Sequence, residues 1–260
     1  MKQKKKIILI LLLILLLITS TFSSIKIIIW CKDNKKTNNM IKTIKESTRK
    51  IEKEEDDKTE KFCNRECISN KFLEVDFKNL KKKNEETVGW IQVENTNIDY
   101  PIVQHSNNDY YLNHSFDKSY NDSGWVFADY RNNFSLLDRN TIIYAHGRVD
   151  GTMFGTLKNL LNQDYFNENK KVVVKLSTES ANYLLEAFSI YHIRTTDDYS
   201  YINFSQSDYE KFLKKIINRS SYHFGITVGK EDKILTLSTC YNVHEKVVLH
   251  ARVVKRQERI

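Results

Sequence analysis

The feature that most constrains this fold is a series of short strand-like segments in the C-terminal two thirds of the chain. They are rich in β-branched and aromatic residues, and turn residues such as those at 94–97 and 121–124 separate them. The segments are 89–93, 98–103, 124–128, 141–145, 171–176, 183–191, 234–239 and 246–254. Helical patterns cover 72–80, 153–161 and 207–219. Many short strands with few helices predict a mainly β fold, a β-barrel with peripheral helices.

The first 30 residues carry a different signal. Lysines at 2 and 4–6 precede a run from 7 to 25 that contains no charged residue. Such a run is long enough to cross a bilayer core, which takes about 20 residues. The preceding lysines predict an N-terminus inside the cell and an extracellular remainder. We therefore expect residues 1–30 to be a single-pass anchor in the cell membrane. A cleaved signal peptide is the alternative, because small residues follow the first apolar stretch.

Residues 31–71 form a region dominated by Lys, Glu, Asp, Asn and Thr. This composition predicts a solvated, partly helical stalk between the anchor and a catalytic domain at 72–260. Cys63 and Cys67 in this region could form a disulfide or bind a metal. No other cluster of metal ligands accompanies them, so we expect no metal. Cys31 directly follows the apolar run and is a candidate for lipidation.

The net charge of +8 does not indicate a nucleic-acid-binding protein. Part of the excess comes from the N-terminal lysines, and the other basic residues are scattered among acidic ones. An exported protein that faces an anionic cell envelope accounts for the charge, and we expect no nucleic-acid partner.

Two strand-like segments end in residues that can carry chemistry. Cys240 follows the segment 234–239, and His146 follows 141–145. A thiol and an imidazole at strand ends are the minimum needed for acyl transfer through a thioester. The alternative for Cys240 is a buried structural cysteine. Strand alternation places Ile234, Thr236, Ser238 and Cys240 on one face and Leu235, Leu237 and Thr239 on the other.

Acyl transfer also needs a donor for the oxyanion that forms during attack. On the last strand-like segment, Lys246 and Arg252 face the same side. Both are candidates for the cation that stabilises the oxyanion. For each, the alternative is an ordinary exposed charge.

The motif Thr236-Leu-Ser-Thr-Cys240 resembles the nucleophile signature of sortases, and Tyr144-Ala-His146-Gly147 resembles their histidine strand. Sortases are cysteine transpeptidases that attach proteins to Gram-positive cell walls. Further segments are similar to class B sortases in the same order, namely 88–91, 97–104, 110–116, 126–132 and 150–155. The resemblance covers residues 72–254. It implies a closed eight-stranded sortase-type barrel, with 207–219 as the long helix between late strands that marks class B, a retained anchor and an extracellular active site.

The resemblance also implies a reaction. Cys240 would cleave a sorting signal of the Asn-Pro-x-Thr type after its threonine, and a peptidoglycan amine would resolve the thioester. His146 would protonate the leaving amine and deprotonate the incoming one. Ser238 and Thr239 would line the substrate groove. The implied partners are surface proteins that carry sorting signals, a peptidoglycan precursor or cross-bridge amine, and the membrane, with no cofactor.

The chain departs from the family pattern at one position. The family's arginine precedes a small residue by five positions, and counting back from Ala251 reaches Lys246 (251 − 5 = 246). A change of register would put Arg252 in this role instead. Three other functions stay open: pilin polymerisation, which the lack of an apolar span after 254 disfavours, plain cysteine hydrolysis, and binding of sorting signals with little turnover.

Overall fold

The structure is a computed structural model that describes residues 2–48, 71–168, 171–194, 198–241 and 244–259. Its strands are β1 Thr87–Val93, β2 Asp99–Val103, β3 Phe127–Ala128, β4 Asn140–Tyr144, β5 Val173–Thr178, β6 Ala181–Arg194, β7 Ile234–Cys240 and β8 Glu245–Glu258. Its helices are α1 Lys2–Thr48, α2 Phe77–Lys83, α3 Gln163–Glu168 and α4 Gln206–Arg219, with 3₁₀ helices at Tyr110–Leu112 and Leu157–Leu161.

Within these residues, the eight strands close into a barrel in the order β1-β2-β3-β4-β7-β8-β6-β5. The prediction of a mainly β, closed eight-stranded barrel with peripheral helices is confirmed. The chain order is broken where β4 pairs in parallel with β7. Because parallel strands end at the same edge of a sheet, this pairing brings the C-terminal ends of β4 and β7 together.

The two faces of β7 pack against different cores. Leu235 and Leu237 belong to the main cluster, whereas Ile234 belongs to a second cluster under α4. This is the alternation that the sequence predicts. Helix α4 presents apolar residues with helical spacing to the second cluster, namely Tyr209, Phe212, Leu213 and Ile216. The helix begins after Ser205, whose Oγ accepts a hydrogen bond from Asp208 N at 3.2 Å.

The helix predicted at 153–161 is shorter in the structure. Only Leu157–Leu161 is helical, as a 3₁₀ helix, and α3 follows it. Met153 has φ 53°, a left-handed conformation that a right-handed helix cannot contain. The helix therefore starts four residues later than the apolar spacing indicates.

Helix α1 continues well past the apolar run, to Thr48. Its large apolar side chains between Ile7 and Trp30 are exposed, and the helix is long and apolar enough to cross a membrane, a test that a signal sequence also passes. Beyond Trp30 the helix packs on the barrel and buries Thr37 and Ile44. Residues 31–48 are therefore not fully solvated. A few positions on one face of the helix are buried, and the mainly polar composition of this region does not reveal them.

The remainder of the expected stalk, 49–70, lies outside the described residues, and so do Cys63 and Cys67. Cys31 is exposed on α1 and forms no disulfide with another described residue.

Candidate active site

The ends of β4 and β7 bring His146 and Cys240 to the same edge of the barrel. Tyr144 of β4 is in register with Ser238 of β7, and Ala145 N donates to Ser238 O at 3.3 Å. His146 and Cys240 each follow this pair by two residues, so both lie where the paired part of β4 and β7 ends. Paired strands lie about 4.8 Å apart. The imidazole and the thiol therefore project from one edge of the barrel.

Gly147 permits this close approach. A Cβ at this position would lie 2.1 Å from Cys240 O and 3.0 Å from Thr239 Oγ1. Such distances are far inside van der Waals contact. Any larger residue at 147 would force the two strand ends apart.

The Cys240 thiol is exposed and forms no disulfide within the part of the chain that the structure describes. It is not a buried structural cysteine. Across the β7–β8 ladder it is in register with Lys246, whose Nζ lies 3.9 Å from Cys240 Sγ. An ammonium at this distance can donate to the sulfur or to an oxyanion formed beside it.

Arg252 lies at the other end of β7. It is in register with Ile234, six residues before Cys240, which corresponds to about 20 Å along a strand. Its Nη1 donates to Thr227 O at 2.8 Å. The structure therefore brings Lys246 to the thiol and does not bring Arg252 there.

The backbone of a neighbouring segment holds the imidazole. His146 Nε2 lies 2.7 Å from Leu112 O in the first 3₁₀ helix. A carbonyl can only accept, so Nε2 carries a proton, and in the neutral ring Nδ1 is the basic nitrogen. The sequence does not reveal this partner, because every residue has a carbonyl.

Gly124 packs against the same ring. Its φ is +59°, and a Cβ there would lie 3.0 Å from His146 Cδ2 and 2.6 Å from Tyr111 O. The turn signal at 121–124 marks this segment in the sequence, but only the fold brings the turn to His146.

Ser238 and Thr239, the predicted groove residues, are both buried. Ser238 Oγ is 2.8 Å from the hydroxyl of Tyr199, and Thr239 Oγ1 has no hydrogen-bond partner among the described residues. Neither side chain is open to a peptide in this conformation. Burial raises the pKa of Tyr199, and proximity to Cys240 raises it further, although the bond from Ser238 acts in the opposite direction. Tyr199 is thus a neutral hydroxyl that covers Ser238.

A buried acid supports β4 just before His146. Asp129 is fully buried, accepts from Arg131 Nη2 at 2.7 Å and accepts from the Tyr144 hydroxyl at 3.0 Å. Burial alone would raise the pKa of Asp129, but the hydrogen bonds and charge of Arg131 outweigh it and lower the pKa. Arg131 Nη2 also donates to Ser200 O at 3.1 Å, which ties the segment containing Tyr199 to the same support.

A series of buried hydrogen bonds joins β7 to the neighbouring strands β4, β8 and β6. Thr236 Oγ1 donates to Asn140 Oδ1 at 2.6 Å and so must accept from His250 Nδ1 at 2.8 Å. His250 Nε2 then accepts from the Tyr191 hydroxyl at 2.8 Å. Burial lowers the pKa of His250 to about 3, and the charge of Arg219 contributes. This imidazole is therefore a neutral structural group and not a candidate acid or base.

The barrel with a thiol and an imidazole at two parallel strand ends defines the class of this protein. The sortase domain family matches residues 91–257, and the chain belongs to the sortase family. It is accordingly a cysteine transpeptidase.

The relatives indicate the subclass. The chain is 39% identical to Sortase B of Listeria monocytogenes over 170 residues, which is 64% of this chain and 67% of the relative. It is 33% identical to Sortase B of Staphylococcus aureus over 184 residues, 69% of this chain and 75% of the relative. The structure of a Staphylococcus aureus sortase B–substrate complex superposes with a TM-score of 0.65 at 33% identity, covering 69% of this chain and 85% of that one. These similarities place the chain with class B.

Proposed function

We propose that this transpeptidase cleaves a C-terminal sorting signal after its threonine and joins the acyl part to a peptidoglycan amine. Cys240 is the nucleophile, His146 the acid and base, and Lys246 the cation. The observation that carries the proposal is the placement of three groups at one edge of the barrel: an exposed thiol at the end of β7, His146 just past the neighbouring end of β4, and Lys246 Nζ 3.9 Å from the sulfur.

The reaction has two halves. The thiol proton of Cys240 passes to His146, Cys240 Sγ attacks the threonine carbonyl, the peptide C–N bond breaks, and His146 gives the proton to the leaving amine. An incoming amine then attacks the thioester, His146 takes its proton, and the thiol is regenerated. Both halves pass through an oxyanion, and an ammonium beside the sulfur is placed to stabilise it.

The substrate class follows from the relatives. The Staphylococcus aureus relative has been solved as a sortase B–substrate complex, and we expect a sorting-signal peptide of the Asn-Pro-x-Thr type to occupy the corresponding groove here. For the peptide to reach Ser238, the hydroxyl of Tyr199 must give way, since it now covers that side chain. Peptide binding and movement of the Tyr199 segment are therefore coupled in this proposal.

The apolar part of α1 supports a membrane location for this protein. We propose that it is retained as a single-pass anchor with the N-terminus inside, so that the barrel acts on surface proteins outside the cell. We propose the domain division 1–30 anchor, 31–71 linker and 72–260 catalytic domain, and the burial of Thr37 and Ile44 supports a linker whose first part packs on the barrel.

A product analysis separates transfer from its alternatives. The full chain in detergent micelles is incubated with a fluorescent Asn-Pro-x-Thr-type peptide, with and without an added glycine-based amine. We expect an amine adduct that replaces the hydrolysed product as the amine concentration rises, and no product from Cys240→Ala.

Two other outcomes would contradict the proposal. Hydrolysis that no amine diverts would make the protein a plain hydrolase. Peptide binding without cleavage would make it a binding protein for sorting signals. Because transfer to a lysine side chain would indicate pilin polymerisation, a lysine-bearing peptide is included as a competing acceptor.

A further inference from the structure

The turn that packs against the candidate imidazole depends on one buried amide. Asn121 is fully buried, and its Oδ1 accepts from Ser123 N at 2.9 Å. Its backbone carbonyl accepts from Gly124 N, also at 2.9 Å. These two bonds shape the turn that presses Gly124 against the ring of His146.

Helix α1 completes the hydrogen bonding of this amide. Asn121 Nδ2 donates to Thr37 Oγ1 at 3.0 Å, and Thr37 is buried. Thr37 is 84 residues from Asn121 in the chain, so the bond joins two separate parts of the molecule. Without Thr37 the Nδ2 group would lose this acceptor in a buried place, which is costly.

The same helix also contacts the loop on the other side of the imidazole. Arg148, two residues after His146, donates to Asn34 of α1 through Nη2 and to Thr152 Oγ1 through Nε at 3.1 Å. The Arg148 side chain is only 10% exposed. Helix α1 therefore touches both segments that flank His146, the turn 121–124 and the loop that begins at Arg148.

We propose that the membrane-proximal part of α1 is a positioning element of the active site, in which Thr37 and Asn34 hold the two segments that orient His146. The anchor helix would then set the geometry of the imidazole as well as the location of the domain. This inference deepens the proposed function and rests on it for the role of His146. Thr37 and Asn34 are positioning residues, because they act through Asn121 and Arg148 and do not reach the thiol.

The test uses the full chain in micelles and compares Thr37→Val, Thr37→Ser and Asn34→Ala with the wild type. Thr37→Val keeps the shape of the side chain and removes the hydroxyl, and the loss of one hydrogen bond of ~1 kcal/mol corresponds to about a fivefold change in rate. We expect kcat to fall by about that factor while KM for the peptide is unchanged, and Thr37→Ser to restore the rate. Asn34→Ala should act in the same direction.

Lys45→Ala is the matched control. Lys45 Nζ pairs with Asp99 at 2.9 Å, so the change removes another contact between α1 and the barrel that does not involve the segments flanking His146. We expect its kcat to match the wild type. Equal slowing by Lys45→Ala would overturn the proposal, because helix docking in general would then be responsible.

A second measurement does not depend on turnover. In the full chain labelled with ¹³C at histidine Cε1, the His146 resonance, assigned through His146→Gln, is followed by NMR. Thr37→Val should shift this resonance, and Lys45→Ala should not. An unmoved resonance would overturn the positioning role. If the wild type transfers no peptide, the proposed function fails, and the resonance still decides whether α1 positions His146.

Discussion

At the scale of single residues, the close approach of the ends of β4 and β7 depends on Gly147, which has no side chain. Gly147→Ala would place a Cβ 2.1 Å from Cys240 O, so the ends of β4 and β7 must separate. We expect kcat/KM to fall roughly 100-fold, because about 1 Å of misplacement between reacting groups has effects of that size. Steady-state kinetics with the signal peptide measures this.

Gly229→Ala is the control, since a Cβ at 229 would lie 3.9 Å from Asp232 Oδ2, an ordinary contact distance. It should keep the wild-type rate. A fully active Gly147→Ala would show that the approach of the strand ends is not needed for catalysis.

The cation gives a second prediction at this scale. Lys246→Ala should lower kcat/KM roughly 100-fold, the usual loss when one oxyanion donor is removed. Lys246→Arg should retain activity, because a guanidinium keeps the charge and offers more donors. Arg252→Ala should leave the rate unchanged, since Arg252 lies about 20 Å along the strand from the thiol. An inactive Arg252→Ala with an active Lys246→Ala would reverse the assignment.

These residues also show what the sequence can and cannot predict. Strand alternation and the two motifs predict Cys240 and His146 at neighbouring strand ends. Alternation puts Lys246 and Arg252 on one face, but only the strand register decides which one reaches the sulfur. The carbonyl of Leu112 and the hydroxyl of Thr37 could not be predicted, because neither has a local sequence signature and both act across long separations in the chain.

At the scale of elements, the strands β6, β7 and β8 are joined on their outer side by the neutral imidazole of His250. In the folded chain its pKa is lowered to about 3, from an ordinary value of 6.5. Between these two pH values the unfolded chain binds a proton that the folded chain does not. Stability is therefore complete above pH 6.5 and declines as the pH falls toward 3, by up to about 1.4 kcal/mol per pH unit for one proton.

His250→Gln tests this linkage. Glutamine has no titrating group, so the variant should be less stable than the wild type at pH 7.5 but should lose less stability between pH 7 and pH 5. Thermal unfolding followed by tryptophan fluorescence over this range measures both effects. Equal pH slopes for the two proteins would show that His250 titrates normally in the folded barrel.

At the scale of the whole molecule, the proposed anchor is continuous with a helical segment that packs on the barrel. Helix α1 runs from the apolar segment directly into the contacts at Thr37 and Ile44. We therefore expect the protein isolated from membranes to retain residues 1–30, and intact-mass spectrometry measures this. A mature chain that begins shortly after residue 24 would identify the N-terminal segment as a cleaved signal peptide and would contradict the anchor.

The proposed reaction depends on a thioester in which the sulfur of Cys240 holds the acyl part of the substrate. The most direct measurement is mass spectrometry of the full chain after rapid acid quenching of a reaction with signal peptide and no added amine. We expect a mass increase equal to the peptide up to its threonine less one water, located by digestion on the fragment that contains Cys240 and removed by hydroxylamine. An acyl group on a different residue, or continued peptide transfer by Cys240→Ala, would contradict it.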